Sequence, residues 1–267
     1  MLEKIGCQQK NTKNATFSII IPTSTNREEF IHRTLRSVLN QTYPPELFEI
    51  IIVIDGHRSK EQLITEQIKT YTDPRIKIAA IHDLRYERCI SRNDGMKAAT
   101  GDWICWLDSD DEYMTCYLDR MSWAINEYPD YKVFNFGAIV IREKNMTIRP
   151  PYDLGPTEML TDFVSGKIGS GSFIFKRELL DDPDVGYLPS VMNCYALADA
   201  AKIPGYNSKD KTLGNPWGDD AYLFWKLAKK YKSKKLDFFP YINYIRRQYN
   251  APFYWMPEVP KKEEPKK

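Results

Sequence analysis

Up to about residue 140, short strand-like runs alternate with helical segments, and this alternation constrains the fold more than any other feature. The strand-like runs stand at residues 17–22, 48–55, 76–81, 102–107 and 133–141. The first is expected to stop at Pro22. The first helix is expected to begin near Asn26, which forms a capping-box-like pair with Glu29. This pattern predicts an α/β fold with a mainly parallel, Rossmann-like, doubly wound sheet flanked by helices.

The regular pattern fails beyond residue 145, where Gly- and Pro-rich segments take over. Further helices are predicted at 190–202 and 219–232, and a late strand at 241–247. We therefore predict a flexible leader at 1–15, a regular half at 16–145, an irregular α+β half of the same domain at 146–256, and a disordered tail at 257–267.

Composition excludes several classes of protein. A net charge of +2 over 267 residues is too small to argue for a nucleic-acid partner. The five cysteines are scattered and form no CxxC pair, so neither a disulfide framework nor a zinc site is expected. No window approaches 18 uninterrupted apolar residues, and the first 15 residues lack the apolar core of a signal peptide. We therefore expect a cytoplasmic location.

Acidic residues follow the fourth predicted strand, where Asp108 and Asp110 are separated by Ser109. Ligands of parallel α/β sheets bind outside the carboxyl ends of the strands, where Thr23 and Asp55 are also expected. Two carboxylates at positions i and i+2 can reach one oxygen-preferring cation. Mg²⁺ and Mn²⁺ fit, because they keep coordination positions for water and phosphate oxygens. The run therefore suggests a metal site for a phosphorylated ligand.

Two other kinds of protein carry aspartates in a similar pattern. A calcium-binding EF-hand loop needs a glycine where this chain has Tyr113, and it follows a helix rather than a strand, so we reject it. A phosphatase of the haloacid dehalogenase type also ends a strand in D-x-D. Its motif follows the first strand and continues with a small residue, where this chain has Asp111. That phosphatase stays open as an alternative.

Four segments occur in the order and spacing of an enzyme family. They read SIIIPTSTN, EIIIVIDG, SRNDGMKAATGDWICWLDSDD and a later GDD that opens a helix. Together they resemble a family 2 glycosyltransferase with the GT-A fold, with its N-terminal half from Phe17 to Ile141. The resemblance implies an inverting enzyme that moves a sugar from a nucleotide-diphospho-sugar, with UDP-sugars favoured, to a hydroxyl group. It also implies Mn²⁺ or Mg²⁺ as cofactor.

The resemblance implies roles for residues on the nucleotide-sugar side. Asp110 would be the direct metal ligand, and Asp108 would face the ribose or bind the metal through water. Asp55 would accept a hydrogen bond from the imide N–H of uracil or its counterpart. Arg92 would contact the base or the diphosphate. The remaining positions of this side are Pro22, Thr23 and Ser109, which would border the donor, and Asn93 and Gly95, which would shape the helix start.

On the acceptor side, the resemblance implies that Asp220 is the general base and that Asp219 supports it. Both open a helix, whose macrodipole favours ionised carboxylates. The acceptor could be a glycan or a lipid-linked sugar, and the segment APFYWMP at 251–257 could touch a membrane surface. A catalytically inactive module that binds sugars or nucleotides is the other alternative.

The chain departs from the family pattern at two places. Gly56 follows Asp55 where the family often has a second acid. Gln248 stands near the position of a late histidine that often binds the metal. Arg246 or Arg247 could then offer fixed positive charge to the diphosphate.

Overall fold

The structure is a computed structural model that describes residues 14–24, 28–55, 65–82, 88–142, 145–151, 170–188 and 219–245. Its α-helices include α1 (Glu28–Leu39), α2 (Arg88–Ala98), α3 (Tyr117–Glu127) and α4 (Asp219–Lys230). Its strands are β1 (Phe17–Ser24), β2 (Phe48–Asp55), β3 (Ile76–His82), β4 (Trp103–Trp106), β5 (Glu112–Tyr113), β6 (Val133–Phe136), β7 (Ala138–Arg142), β8 (Asn145–Arg149), β9 (Phe173–Lys176), β10 (Ser233–Leu236) and β11 (Tyr241–Ile245).

The strands form two sheets. The larger sheet has the order β10-β6-β9-β4-β1-β2-β3, and the smaller has the order β5-β11-β7-β8. In the larger sheet β1 pairs in parallel with β2 and β4, and β2 pairs in parallel with β3. β9 is the exception, because it runs antiparallel between β4 and β6. The predicted α/β class with a mainly parallel sheet is confirmed.

Helices pack on both faces of the larger sheet. Ile19 of β1 belongs to a buried cluster with Leu35 of α1 and Met121 of α3. Ile20, which points to the opposite face, belongs to a second buried cluster with Met96 of α2 and residues of α4. Successive side chains of a strand point to opposite faces. A continuous apolar run such as that of β1 is therefore what a sheet covered on both faces requires.

β1 continues past Pro22 for two residues, so the expected stop is wrong. The reason lies in its neighbour β4, which ends at Trp106 opposite Ile20. The carbonyl oxygen of Ile20 accepts the next hydrogen bond on that side, from the N–H of Leu107 at 3.0 Å. Residues 20 and 22 direct their backbone groups to the same side of the strand. The N–H that Pro22 lacks would point towards β4, which has already ended at this level. The proline therefore costs the sheet no hydrogen bond between strands.

The single strand predicted at 133–141 is also wrong, because the chain leaves one sheet and enters the other at Gly137. β6 belongs to the larger sheet, and β7 belongs to the smaller one. The ring of Phe239 crosses at this point, and a Cβ on residue 137 would lie 2.4 Å from its carbon atoms. Only a glycine allows this approach.

Glu49 is buried at the amino-terminal edge of the larger sheet, where it accepts four hydrogen bonds. They come from Ser18 Oγ at 2.6 Å, and from the Thr100 N–H, the Thr100 hydroxyl and Lys77 Nζ at 2.7 Å each. Burial by itself would raise the pKa of this carboxyl. The hydrogen bonds from Lys77, Ser18 and Thr100 outweigh burial and lower the pKa to about 2. This network ties β1, β2 and β3 together at the edge opposite the acidic run.

The remaining structural predictions have mixed outcomes. The helix at 190–202, residues 1–13 of the leader and the tail at 257–267 lie outside the described residues. Ala15, the last residue of the predicted leader, is buried, and its carbonyl oxygen accepts a hydrogen bond from Tyr43 at 2.7 Å. Within the described ranges, no helix has both the length and the apolar character needed to cross a membrane.

Candidate active site

The acidic run forms a tight loop at the carboxyl end of β4, closed by a hydrogen bond of 2.9 Å from the N–H of Asp111 to the carbonyl oxygen of Asp108. Helix α1 holds the backbone of this loop. The Thr34 hydroxyl lies 2.8 Å from the carbonyl oxygens of both Ser109 and Asp111. Ser109 is itself buried. The loop is therefore fixed before any ligand binds.

Arg33, the neighbour of Thr34 on α1, fixes the next part of the loop. Its Nη2 donates to the carbonyl oxygen of Asp110 at 2.8 Å, and its Nε lies 2.6 Å from Oε1 of Glu112. The contact with Asp110 uses the backbone, and the side chain of Asp110 is half-buried at the edge of the sheet. Sequence reasoning missed Arg33 and Thr34, because their helical positions show no sign of the distant loop.

Asp108 is held by Arg92 of α2. The Arg92 side chain is fully buried, donates from Nη2 to Oδ1 of Asp108 at 2.8 Å, and stacks over the ring of Trp106 at 4.7 Å. A buried guanidinium is costly unless it is paired, and the carboxylate of Asp108 supplies that pairing. The structure thus brings two predicted site residues together. Arg92 meets the first aspartate of the loop directly.

Asp111 points inward, with 1% of its surface exposed, and it accepts a hydrogen bond from the hydroxyl of Tyr241 on β11. Burial, and next the charge of Asp111, raise the pKa of Tyr241 well above its usual value. The phenol therefore stays protonated and can donate. This contact connects the loop to the late strand, and sequence reasoning predicted the strand but not the contact.

On the other side of β1, Asp55 is buried as the last residue of β2. In the strand register it stands beside His82 of β3. His82 Nδ1 lies 4.0 Å from Oδ1 of Asp55, and Nε2 lies 2.9 Å from Oδ2 of Asp94 on α2. Sequence reasoning missed His82. His82 also stands at the carboxyl end of a strand, and this is the criterion that identified Asp55. The same criterion could have identified His82.

Pro22 and Thr23 lie on the last part of β1, at the same edge of the sheet as Asp55. Thr23 is buried, and its Oγ1 has no hydrogen-bond partner in the described part of the chain. A buried hydroxyl usually has a partner. Thr23 thus lies at the carboxyl edge of the larger sheet, beside β2.

Asn93 and Gly95 stand in the middle of α2, which begins at Arg88, so the expectation that they shape the helix start is wrong. The Asn93 side chain bonds both backbone groups of Leu188, with its Nδ2 2.7 Å from the carbonyl oxygen and its Oδ1 2.9 Å from the N–H. A Cβ on Gly95 would lie 2.3 Å from Ile20. These two residues pack α2 against the segment before residue 189 and against β1.

Asp219 and Asp220 are the first two residues of α4. The structure describes their backbone and not their side chains. Packing on the larger sheet sets the place of this helix, since the ring of Phe224 lies 5.0 Å from that of Phe173 on β9. Arg246 and Arg247, which were predicted to face the diphosphate, and Gln248 lie outside the described residues.

The donor atoms of the loop fit a hard divalent cation. Mg²⁺ and Mn²⁺ prefer carboxylate oxygens, and Mg²⁺ is often held by one or two carboxylates together with phosphate oxygens and water. The described residues contain no group of three or more His, Cys, Asp or Glu that could hold a metal. The side chains of Asp108 and Asp110 supply carboxylate oxygens of this kind.

Sequence comparison gives a family match for more than half of the chain. The sequence model described as Glycosyl transferase family 2 matches residues 18–182. Amylovoran biosynthesis glycosyltransferase AmsB from Erwinia amylovora is 26% identical over 175 residues, which cover 62% of this chain and 57% of that protein.

Two solved structures share the fold. S. aureus TarS 1-349 in complex with UDP-GlcNAc is 20% identical, with a TM-score of 0.58 over 86% of this chain and 59% of that one. Mannosyltransferase PcManGT from Pyrobaculum calidifontis, in complex with GDP-Man and Mn²⁺, is 14% identical, with a TM-score of 0.56 over 89% and 59% of the chains. The chain therefore spans less than two thirds of the length of the three proteins it is compared with.

Proposed function

Because the chain belongs to glycosyl transferase family 2, has the GT-A fold and is a glycosyltransferase, we propose that it transfers a sugar from a nucleotide-diphospho-sugar to a hydroxyl group, with inversion. The observation that carries this proposal is the fixed acidic loop after β4, on the same sheet edge as the buried Asp55. This edge suits a ligand that combines a base with a diphosphate. The comparisons give no support to the phosphatase or to the inactive module.

We favour a UDP-sugar as donor. A carboxylate such as Asp55 can accept a hydrogen bond from the ring N–H of uracil or thymine, which unprotonated cytosine lacks. Guanine also has such an N–H. TarS binds UDP-GlcNAc and the Pyrobaculum enzyme binds GDP-Man, so UDP and GDP are the nucleotides to compare.

Asp110, together with Asp108, would hold Mn²⁺ or Mg²⁺. When bound, the cation would neutralise the charge of the departing diphosphate. The chain's own residues keep the loop in place for this task. Arg92 orients Asp108, and Arg33 anchors the backbone of Asp110. Because these supports are in place beforehand, little reorganisation is needed when the donor binds.

We assign the general base to Asp220, with Asp219 in support. The acceptor oxygen attacks the anomeric carbon and gives its proton to Asp220. The bond from that carbon to the diphosphate breaks, and its electron pair leaves with the diphosphate. A single displacement of this kind inverts the anomeric configuration. The acceptor in this proposal is a glycan or a lipid-linked sugar. The Erwinia relative is named as a glycosyltransferase of amylovoran biosynthesis.

A thermal-shift panel of UDP, GDP, CDP and dTDP, each with and without Mn²⁺, tests the proposal. UDP with Mn²⁺ should stabilise the protein more than CDP with Mn²⁺, and Asp55→Asn should remove that difference. Asp102→Asn, which changes an exposed acid at the opposite edge, is the matched control. Stabilisation by none of the nucleotides would contradict the proposal. Hydrolysis of aryl phosphates with Mg²⁺, without preference for nucleotides, would favour the phosphatase instead.

A further inference from the structure

His82, the last residue of β3, is buried between two carboxylates that come from different elements. Its Nε2 lies 2.9 Å from Oδ2 of Asp94 on α2, and its Nδ1 lies 4.0 Å from Oδ1 of Asp55 at the end of β2. Asp55 is the proposed acceptor for a ring N–H of the nucleobase. The imidazole of His82 therefore links the base side of the candidate donor site to helix α2.

The contact with Asp94 fixes the orientation of the His82 ring. An ionised carboxylate can only accept hydrogen bonds, so Nε2 of His82 is the donor. The His82 side chain is 10% exposed, and turning the ring would leave a buried N–H without its acceptor, which is costly. Nδ1 is consequently held towards Asp55. At 4.0 Å this second contact is too long for a hydrogen bond, so the imidazole limits where the Asp55 carboxylate can lie without such a bond.

Helix α2 supports both parts of the candidate donor site. Two residues before Asp94, Arg92 donates to Oδ1 of Asp108 in the acidic loop at 2.8 Å. The residue after Asp94 is Gly95, which packs on β1 so closely that a Cβ would lie 2.3 Å from Ile20. β1 stands between β2 and β4, the two strands whose carboxyl ends carry the site. One helix thus positions the acidic loop and, through Asp94, the end of β2.

The direction of a carboxylate matters for the recognition of a base, because a hydrogen bond weakens steeply when its angle at the hydrogen falls below about 120°. Uracil offers a ring N–H to Asp55, and unprotonated cytosine has none to offer. UDP and CDP carry the same ribose and the same diphosphate. A displaced carboxylate would therefore weaken the binding of UDP and leave that of CDP little changed.

We propose that His82, oriented by Asp94, is a positioning residue that holds the Asp55 carboxylate for a ring N–H of the nucleobase and so determines which base the enzyme accepts. The inference rests on the proposed function, because it takes Asp55 as the group that reads the base. Neither His82 nor Asp94 needs to touch the donor in this role. The alternative is a purely structural contact that only ties β3 to α2, and its loss would affect all nucleotides alike.

The test is isothermal titration calorimetry of the full chain with UDP and with CDP, both in the presence of Mn²⁺. His82→Phe keeps a ring and removes both ring nitrogens. It should weaken the binding of UDP at least about tenfold and that of CDP by less than about twofold. Asp94→Leu removes the acceptor of Nε2 and should have the same effect, although Asp94 acts only through His82.

Two further variants separate positioning from general damage. Asp94→Asn keeps an oxygen that accepts from Nε2 of His82, so its preference for UDP over CDP should stay within about threefold of that of the wild type. Lys97→Met removes a second partner of Asp94, an ammonium group at 3.5 Å on a side chain that is 59% exposed. This variant leaves the contact with His82 in place and should bind both nucleotides like the wild type.

Two results would overturn the inference. One is an unchanged ratio of UDP to CDP affinity in both His82→Phe and Asp94→Leu, and the other is an equal weakening of both nucleotides. Should His82→Phe fail to fold, Asp94→Leu decides alone, because the Asp94 side chain is 29% exposed and tolerates exchange better. A wild type that binds neither nucleotide would contradict the proposed function, whereas a UDP preference that both variants retain would contradict only this inference.

Discussion

Replacing Glu49 by glutamine removes the negative charge from the buried network at the amino-terminal edge of the larger sheet, and the structure gives the size of the effect. The pKa of Glu49 falls from 4.5 to about 2 on folding. One pKa unit corresponds to about 1.4 kcal/mol, so folding favours the charged form by about 3 kcal/mol. Lys77 is 55% exposed. Solvent screens the part of this free energy that comes from the ion pair with Lys77, so that a net stabilisation of about 2 to 3 kcal/mol remains.

The dependence on pH has a definite sign. Because the pKa of Glu49 is lower in the folded state, its stabilising effect is fully present above pH 4.5 and is lost as the pH falls towards about 2. Glu49→Gln should therefore lower the free energy of unfolding by about 2 to 3 kcal/mol at pH 7. The difference from the wild type should shrink steadily as the pH drops below 4.5.

Urea denaturation at a series of pH values from neutral down to the acid limit measures this difference. Glu46→Gln removes one exposed negative charge from the turn before β2 and should change the free energy of unfolding by no more than about 0.5 kcal/mol. If Glu49→Gln costs as little as this control, or if its cost does not vary with pH, the charge of Glu49 is not what the network stabilises.

Asp110→Ala should abolish the Mn²⁺-dependent part of the UDP thermal shift and leave the melting temperature without ligand unchanged; a retained metal response would contradict the assignment. Asp220→Asn keeps the shape of the side chain but cannot accept a proton. Sugar transfer or donor hydrolysis should fall by at least about a hundredfold with UDP binding intact, and a loss in Asp219→Asn instead would move the base by one residue. Tyr241→Phe leaves the buried Asp111 without this donor and should lower the free energy of unfolding by about 1 to 3 kcal/mol in urea titrations; stability equal to the wild type would show that the contact contributes nothing.

The parts of the fold that sequence could predict are those whose signal lies within a few neighbouring residues. β2 spans the predicted run at 48–55. The position of the acidic loop at the carboxyl edge was also predictable, because an apolar run that ends in aspartates indicates the end of a buried strand. The break at Gly137 was not predictable in this way. The apolar run is continuous there, and the collision that demands a glycine involves Phe239, about a hundred residues further on.

Contacts within the candidate site were hidden for the same reason. Tyr241 is 130 residues from Asp111, and Leu188 is 95 residues from Asn93. Apolar periodicity predicts that a side chain is buried, but it does not identify the residue it meets. Arg92 illustrates this limit. Its sequence position predicted a contact with the nucleotide-sugar. In the structure its guanidinium hydrogen-bonds to Asp108 and stacks on the ring of Trp106.

The antiparallel strand β9 decides how this enzyme can be recombined with its relatives. β4, which leads into the acidic loop, has β1 on one side and β9 on the other, although β9 is made some seventy residues later. A chimera that joined residues 16–145 to the C-terminal part of another family member would exchange the neighbour of β4 together with the predicted acceptor-side half. A junction after Asp182, beyond the turn that follows β9, would keep β4 between its own two neighbours. The part of the chain beyond Asp182, which carries the proposed general base, could then be exchanged without rebuilding the strand from which the acidic loop begins.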